Sequence, residues 1–300
     1  EINETMKYIL QIIIFFSLSI YGDYFDHPNS QETINELIEN YGFDSDYVEE
    51  VFKNARKQQK IIDSISSPAE FTWTWDRYKN LFIEDKRIKN GKKFIDENII
   101  TLEKAEDEFG VPKEVIVAIL GIETRYGKIL GNYRVLDSLM TLGFDYPRRS
   151  NFFKDELIKY FLLTRENNLD IYKIKGSYAG AMGYGQFISS SYRAYAVDFD
   201  GDEKVDLFNS VDDAIGSVAN YLAVHGWKRE GNIVTKLLVN DIRNLYKPHE
   251  SLSNFISLSF NEDGKDVNFI GDDNFIAITK YNRSHFYAMA VYYLSEEFKK

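Results

Sequence analysis

The chain has 300 residues, 44% of them apolar and 28% charged, with a net charge of −11; it is long enough for one large domain or two to three packed subdomains and has the composition of a folded protein. The lack of a sizeable basic stripe argues against nucleic acid, whose binding rests on neutralised phosphates. The lack of cysteine excludes disulfides, thiol catalysis, cysteine-based zinc and a lipid-bearing N-terminal cysteine, and His27, His225, His249 and His285 show no H-E-x-x-H spacing, against a zinc hydrolase.

Residues 6–22, MKYILQIIIFFSLSIYG, place Lys7 before an apolar run that ends in small or turn-prone residues. This pattern predicts a secretory signal peptide starting at Met6 and cut after Gly22. An uncleaved membrane anchor is the rival reading and a buried core helix the third; the first two both imply export. From Ser30 to Ile65 the apolar spacing is helical, with Asp44 or Ser45 as a cap. Residues 71–83 begin as an extended segment rich in aromatics. Residues 87–109 read as one long polar-faced helix stopped by Gly110. VPKEVIVAILGIETRYG then opens with Pro112 near a first helical position and is apolar on most sides, which predicts a central buried helix.

Further helices are expected at 133–142, 147–166, 187–196 and 211–225, with an acidic loop at 198–209. Residues 229–280 alternate and carry turn signals (REGN, NEDGKD, GDDN), which predicts a small antiparallel sheet with short helices; a last helix fits 283–299. The fold class is mostly α (α+β). The expected divisions are a signal or anchor at 1–22, a helical subdomain at 23–109, a core at 110–228, a small β subdomain at 229–280, and a helix at 281–300 packing on the core.

Three stretches carry chemistry. In GIETRYG, Glu123 stands where the apolar helix stops. A partly desolvated carboxyl there has a raised pKa and can donate a proton near neutral pH; pairing with Arg125 or a backbone group is the structural alternative. In SYAGAMGYGQFISSSY, the glycines at 180, 183 and 185 permit close backbone approach, and Gln186 offers amide hydrogen bonds to a neutral polar ligand such as a sugar. A tight turn between helices explains the same residues. In TKYNRSHFYAMAV, Tyr281 and Asn282 precede a helix, and Asn282 is a plausible N-cap. The 21 tyrosines and 22 phenylalanines suit either an aromatic-lined groove or a core rich in those residues.

ETRYG, YPRR, GSYAGAMGYGQF, DAIGSVANYL, HGW and KYNRS, in this order over residues 70–300, resemble the membrane-bound lytic murein transglycosylase B family. The resemblance implies a core like that of goose-type lysozyme. It implies cleavage of the bond between N-acetylmuramic acid and N-acetylglucosamine in peptidoglycan without water, leaving a 1,6-anhydro end. Glu123 matches the family's sole catalytic acid and base. Ser177 and Gln186 match substrate-facing residues, and Tyr221, Tyr281 and Asn282 match residues lining the cleft. Arg148 and Arg149 match a pair suited to the carboxylates of the stem peptide, with a structural ion pair as the alternative. Tyr78 is a weaker match.

A glycosidase usually needs two carboxylates, and the central motif holds one. One suffices if the substrate supplies the second function. As the resemblance implies, Glu123 protonates the leaving oxygen and the muramic N-acetyl group steadies the positive C1. Glu123 then takes the proton of the C6 hydroxyl as it attacks. A hydrolysing muramidase on the same scaffold and a non-catalytic wall-binding or calcium-binding protein are the competing readings.

DFDGDEKVDLFNSVDD (198–213) places Asp198, Asp200 and Asp202 two apart, as a hard cation such as calcium prefers. Position 6 is Glu203 and position 12 is Asn209, so this is not a standard EF-hand loop. The family has a longer variant, which implies Asp213 (or its neighbour Asp212) as the closing ligand and the Lys204 carbonyl as another, around a structural Ca2+ or Na+. The chemistry itself requires no cofactor. The expected partners are peptidoglycan strands and cell-wall synthesis or division proteins, for a monomer acting in the periplasm.

Overall fold

The computed structural model describes residues 24–66, 73–237 and 255–300. The expected signal or anchor at 6–22 and His249 lie outside them. The first helices are α1 (Gln31–Glu39), α2 (Ser45–Asn54) and α3 (Gln59–Ser66). Asp44 caps α2 by accepting the Tyr47 N–H at 3.0 Å, one of the two caps expected. After them come α4 (Trp75–Phe82), α5 (Asp85–Glu97), α6 (Ile99–Phe109) and the central α7 (Lys113–Thr124).

The single helix expected at 87–109 is two. Asn98, at φ −124°, ψ 23°, breaks it, and its side-chain amide caps the Phe94 carbonyl at 2.8 Å. The packing explains the break: α5 lies on α7, whereas α6 turns to pack on α11 (Val211–Val224). Gly110 ends α6 in the left-handed conformation, as expected. Every residue of α7 from Val115 to Ile122 is buried, because the helix is enclosed by α5, α6, α11 and α13 (His285–Lys299).

Next come α8 (Val135–Asp145), a 3₁₀ turn at Pro147–Arg149, and α9 (Ser150–Glu166). Helix α8 starts later than expected because Tyr133–Arg134 (β1) pairs antiparallel with Lys175–Gly176 (β2). The short α10 (Ser189–Tyr195) precedes the acidic loop and α11. The expected β region holds β3 (Val234–Leu237), β4 (Ile256–Glu262) and β5 (Lys265–Gly271) in the antiparallel order β3-β5-β4, then α12 (Asp273–Tyr281). Buried side chains from Tyr24 to Phe298 form one contiguous cluster. Helix α3 packs on α8 and α1 on α9, while α4 leans on β4 and α13.

Candidate active site

The site is built on the last turn of α7. Glu123 is half-buried there, between the buried Ile122 and Thr124. The chain then enters left-handed backbone for three residues, Arg125 (φ 52°), Tyr126 (φ 63°) and Gly127 (φ 81°). Two of these are not glycine, and such conformations persist only where neighbours enforce them. Here they do. The Arg125 guanidinium pairs with Glu84 at 2.6 Å, and the Tyr126 hydroxyl donates to the Arg87 carbonyl at 2.8 Å. The Thr124 hydroxyl donates to the Tyr184 carbonyl at 2.8 Å and accepts the Gly127 N–H at 2.9 Å, which ties the helix end to the glycine-rich loop.

Tyr287 of α13 donates its hydroxyl to Glu123 Oε1 at 2.7 Å. Burial, and then the Glu123 charge, push the Tyr287 phenol well above its ordinary pKa, so it keeps its proton and remains a donor. The Tyr281 ring lies nearly parallel to that of Tyr287, 6.5 Å away, and its hydroxyl donates to the Gly185 carbonyl at 2.5 Å. Burial and Glu123 raise Tyr281 in the same way. Tyr287 was not singled out in the sequence. FYAMAVYY reads as a core-facing helix, and only the fold brings it to a carboxylate 164 residues away.

The glycine-rich loop is organised by its own side chains. Ser177 Oγ accepts the N–H groups of Ala179 (3.2 Å) and Ala181 (3.1 Å). Gln186, at φ 51°, donates its side-chain amide to the carbonyls of Leu130 and Gly183. Tyr221 donates to the Lys280 carbonyl at 2.7 Å and meets the Tyr281 ring at 4.8 Å, so α11 and α12 support the site from behind. Asn282 is not the cap of α13. Ser284 is the cap, accepting the Tyr287 N–H at 3.4 Å, and Asn282 Oδ1 accepts the Ser284 N–H at 3.0 Å one step earlier. The reason is that α12 runs through Tyr281, so Asn282 ends one helix instead of starting the next.

A cleft of about 800 Å³ opens beside these residues, lined among others by Tyr78, Arg148, Arg149, Tyr178, Asn282 and Arg283. Tyr78, the weaker match in the sequence, is therefore at the cleft. Glu123 is not in this lining. Phe286 is, and the adjacent Tyr287 bonds Glu123, so cleft and carboxylate share one turn of α13. Arg148 and Arg149 make no ion pair with a described residue; Arg149 stacks on the Phe152 ring at 4.2 Å.

In the acidic loop, one oxygen from each of Asp198, Asp200 and Asp202 comes within 4.8 Å of the others. The same carboxylates accept backbone N–H groups that hold the curve, Asp198 from Gly201 (2.7 Å) and Glu203 (2.8 Å), and Asp202 from Lys204 (2.9 Å). Asp213 is buried outside this group. It bridges the two limbs of the loop by accepting the N–H of Phe199 at 2.8 Å and of Asp206 at 2.7 Å. Burial raises its pKa, and these backbone donors oppose the rise. Asp212 accepts the Thr101 hydroxyl. The three converging carboxylates suit a hard cation, and the Lys204 carbonyl belongs to the same loop.

A helix-borne acid beside a glycine-rich loop and a long cleft, in a mostly helical lysozyme-like fold, defines a glycan-cleaving enzyme of the lytic transglycosylase class. The family model described as the transglycosylase SLT domain matches residues 26–296, and the chain belongs to that family. It is 37% identical over 303 residues to membrane-bound lytic murein transglycosylase B of Escherichia coli, covering 92% of this chain and 84% of that one. The crystal structure of soluble lytic transglycosylase SltB1 from Pseudomonas aeruginosa superposes with a TM-score of 0.83 at 41% identity, over 89% of this chain and 97% of that one. The Escherichia coli lytic transglycosylase Slt35 in complex with calcium gives 0.83 at 34% identity, over 94% and 97%. The protein is a lytic transglycosylase acting on peptidoglycan.

Proposed function

We propose that Glu123 is the single acid and base of this transglycosylase, cutting between N-acetylmuramic acid and N-acetylglucosamine and leaving a 1,6-anhydro end. The observation that carries this is the half-buried Glu123 carboxyl held by the Tyr287 hydroxyl at 2.7 Å, beside a cleft whose described lining holds no Asp or Glu. With no carboxylate in that described lining to serve as a second, the substrate's own N-acetyl group steadies C1. Glu123 gives its proton to the leaving oxygen and recovers one from the C6 hydroxyl. Fixed geometry supplies much of the advantage, because attack by a hydroxyl of the same sugar is intramolecular. Ser177 shapes the glycine-rich loop from within, Gln186 and Tyr221 hold the wall, and Tyr281 and Asn282 flank the reacting sugar. Arg148 and Arg149 meet stem-peptide carboxylates.

The acidic loop binds a structural calcium ion through Asp198, Asp200, Asp202 and the Lys204 carbonyl. Asp213 keeps the loop closed through backbone N–H groups. Residues 6–22 export the chain to the periplasm. Among the described residues no helix is long and apolar enough to cross a membrane. The test of the catalytic assignment is mass spectrometry of muropeptides released from purified peptidoglycan. Wild type is expected to release anhydro products, and Glu123→Gln to lose about 10²–10⁴ of the rate. Unchanged cleavage by Glu123→Gln would sink the assignment; reducing-end products would change the reaction to hydrolysis.

A further inference from the structure

We propose that Thr124 is a positioning residue for the reaction: its hydroxyl sets the register between the backbone that carries Glu123 and the glycine-rich loop, so that proton donor and loop face the sugar at one fixed spacing. The inference rests on the assignment of Glu123 as the catalytic acid. Thr124 is the last residue of α7, follows Glu123 directly and is buried. A threonine inside a helix ordinarily donates its hydroxyl back to the carbonyl four residues earlier. Here that contact, to Leu120, is 3.3 Å long, whereas the Tyr184 carbonyl lies at 2.8 Å. A hydroxyl has one proton to donate, and the shorter contact directs it to the loop. The same oxygen accepts the Gly127 N–H at 2.9 Å. One side-chain atom thus joins the catalytic helix, the left-handed turn after the acid, and a loop 60 residues further along the chain.

The residue that Thr124 grips is fixed from two other directions. The Tyr184 N–H donates to the Leu207 carbonyl at 2.9 Å. The Leu207 N–H in turn donates to the Tyr192 hydroxyl at 3.2 Å, and that hydroxyl donates to the Val205 carbonyl at 2.7 Å. The Tyr184 ring covers Gly127, where an added Cβ would clash with it. Among the described residues no other hydrogen bond reaches the Tyr184 carbonyl or the Gly127 N–H. Removing the hydroxyl therefore leaves one donor and one acceptor unpaired at the end of the catalytic helix, and they can be satisfied again only if turn and loop move apart to reach water. Tyr287 and Thr124 impose different constraints. Tyr287 orients the carboxyl, and Thr124 fixes the backbone beneath it relative to the loop that carries Ser177 and Gln186. Misplacement of an acid by about 1 Å can cost a hundredfold in rate, so this hydroxyl acts on kcat through Glu123 without touching the sugar.

The test measures kcat and KM for release of anhydro products from purified peptidoglycan, together with denaturant unfolding, in wild type, Thr124→Val and Thr124→Ser. Thr124→Val keeps the shape and loses the hydroxyl; Thr124→Ser keeps the hydroxyl. Val48→Ala, a cavity at a buried position of α2, is the control for lost stability alone. Thr124→Val is expected to lose about a hundredfold in kcat with KM little changed. Thr124→Ser is expected to recover most of that rate, and Val48→Ala to unfold earlier while keeping its kcat. A wild-type kcat in Thr124→Val, a Thr124→Ser as slow as Thr124→Val, or an equal kcat loss in Val48→Ala overturns the proposal. If Thr124→Val does not fold, Thr124→Cys takes its place, since a thiol is only a weak donor; a Thr124→Cys as fast as Thr124→Ser then overturns it. Glu123→Gln is run alongside. If it cleaves as wild type does, the catalytic assignment has failed, whereas an inactive Glu123→Gln beside a fully active Thr124→Val sinks the positioning role alone.

Discussion

The glycine-rich loop at 177–187 and the acidic loop at 198–213 lie close in sequence and are held in opposite ways. The first is pressed against protein. A side chain at Gly183 would put Cβ 2.5 Å from the Leu207 carbonyl oxygen, and that carbonyl accepts the Tyr184 N–H at 2.9 Å. The second stands in solvent at its tip, residues 200–204, where a Cβ at Gly201 would meet nothing within 4 Å. Its carboxylates are satisfied mainly by its own backbone, and those of Asp198, Asp200 and Asp202 converge without a countercharge from the described residues. The glycine-rich loop takes its shape from packing. The acidic loop takes its shape from hydrogen bonds to its own backbone and, on the function proposed above, leaves the final neutralisation to an ion.

This contrast can be broken at several points, the largest effect first. Gly183→Ala forces a side chain into both a left-handed backbone (φ 73°) and the Leu207 carbonyl. A loss of about 3 kcal/mol is expected in denaturant unfolding, with activity falling alongside it. A loss below that of Gly201→Ala would refute the packing account. Calcium at a hundredfold excess over its Kd should raise unfolding stability by about 2.7 kcal/mol, and EDTA should reverse it. Asp200→Asn should weaken this response. A melting temperature indifferent to both reagents would remove the ion from the acidic loop.

Glu262 is the intermediate case, a carboxylate on the β4–β5 hairpin satisfied by other parts of the protein. Its Oε1 accepts the Trp75 indole N–H at 2.8 Å and the Tyr293 hydroxyl at 2.7 Å, and Lys79 lies 3.6 Å from Oε2. Burial alone would raise its pKa, but the Tyr293 and Trp75 hydrogen bonds and the Lys79 charge outweigh that and hold it below the ordinary 4.5. A depressed acid stabilises the fold above its unfolded pKa and loses that contribution as the pH falls through the lower folded value. Glu262→Gln should therefore cost about 1–2 kcal/mol at neutral pH, with the gap to wild type closing below pH 4.5. A gap that stays constant with pH would mean the charge plays no part. The smallest effect is Gly201→Ala, about 1 kcal/mol from the left-handed backbone alone (φ 80°).

The sequence was most legible where one local rule decides the outcome. Gly110 stopped its helix, Asp44 capped its helix, and the apolar run before Glu123 became the buried α7, because each depends on neighbours in the chain. It was least legible where packing decides. Asn98 splits a helix without any glycine or proline because α5 and α6 follow different partners. Asn282 has the residue type of a cap, but α12 runs through Tyr281 and gives that role to Ser284. Within the site, Glu123 announced itself as an acid at the end of an apolar helix. Tyr287 did not, since a tyrosine in an apolar helix is indistinguishable from a core residue until its hydroxyl finds a partner. Asp213 was legible as a cation-ligand candidate by position, whereas the backbone N–H groups of Phe199 and Asp206 that meet its two oxygens were not.

Helix α13 is the last described element, and it carries the hydroxyl that holds Glu123. The Tyr287 hydrogen bond to Glu123 therefore forms only once α13 has been made and has docked along α7. A chain clipped before Ser284 contains Glu123 without that hydrogen bond. A contact spanning 164 residues thus makes the surroundings of the acid a readout of whether α13 has docked.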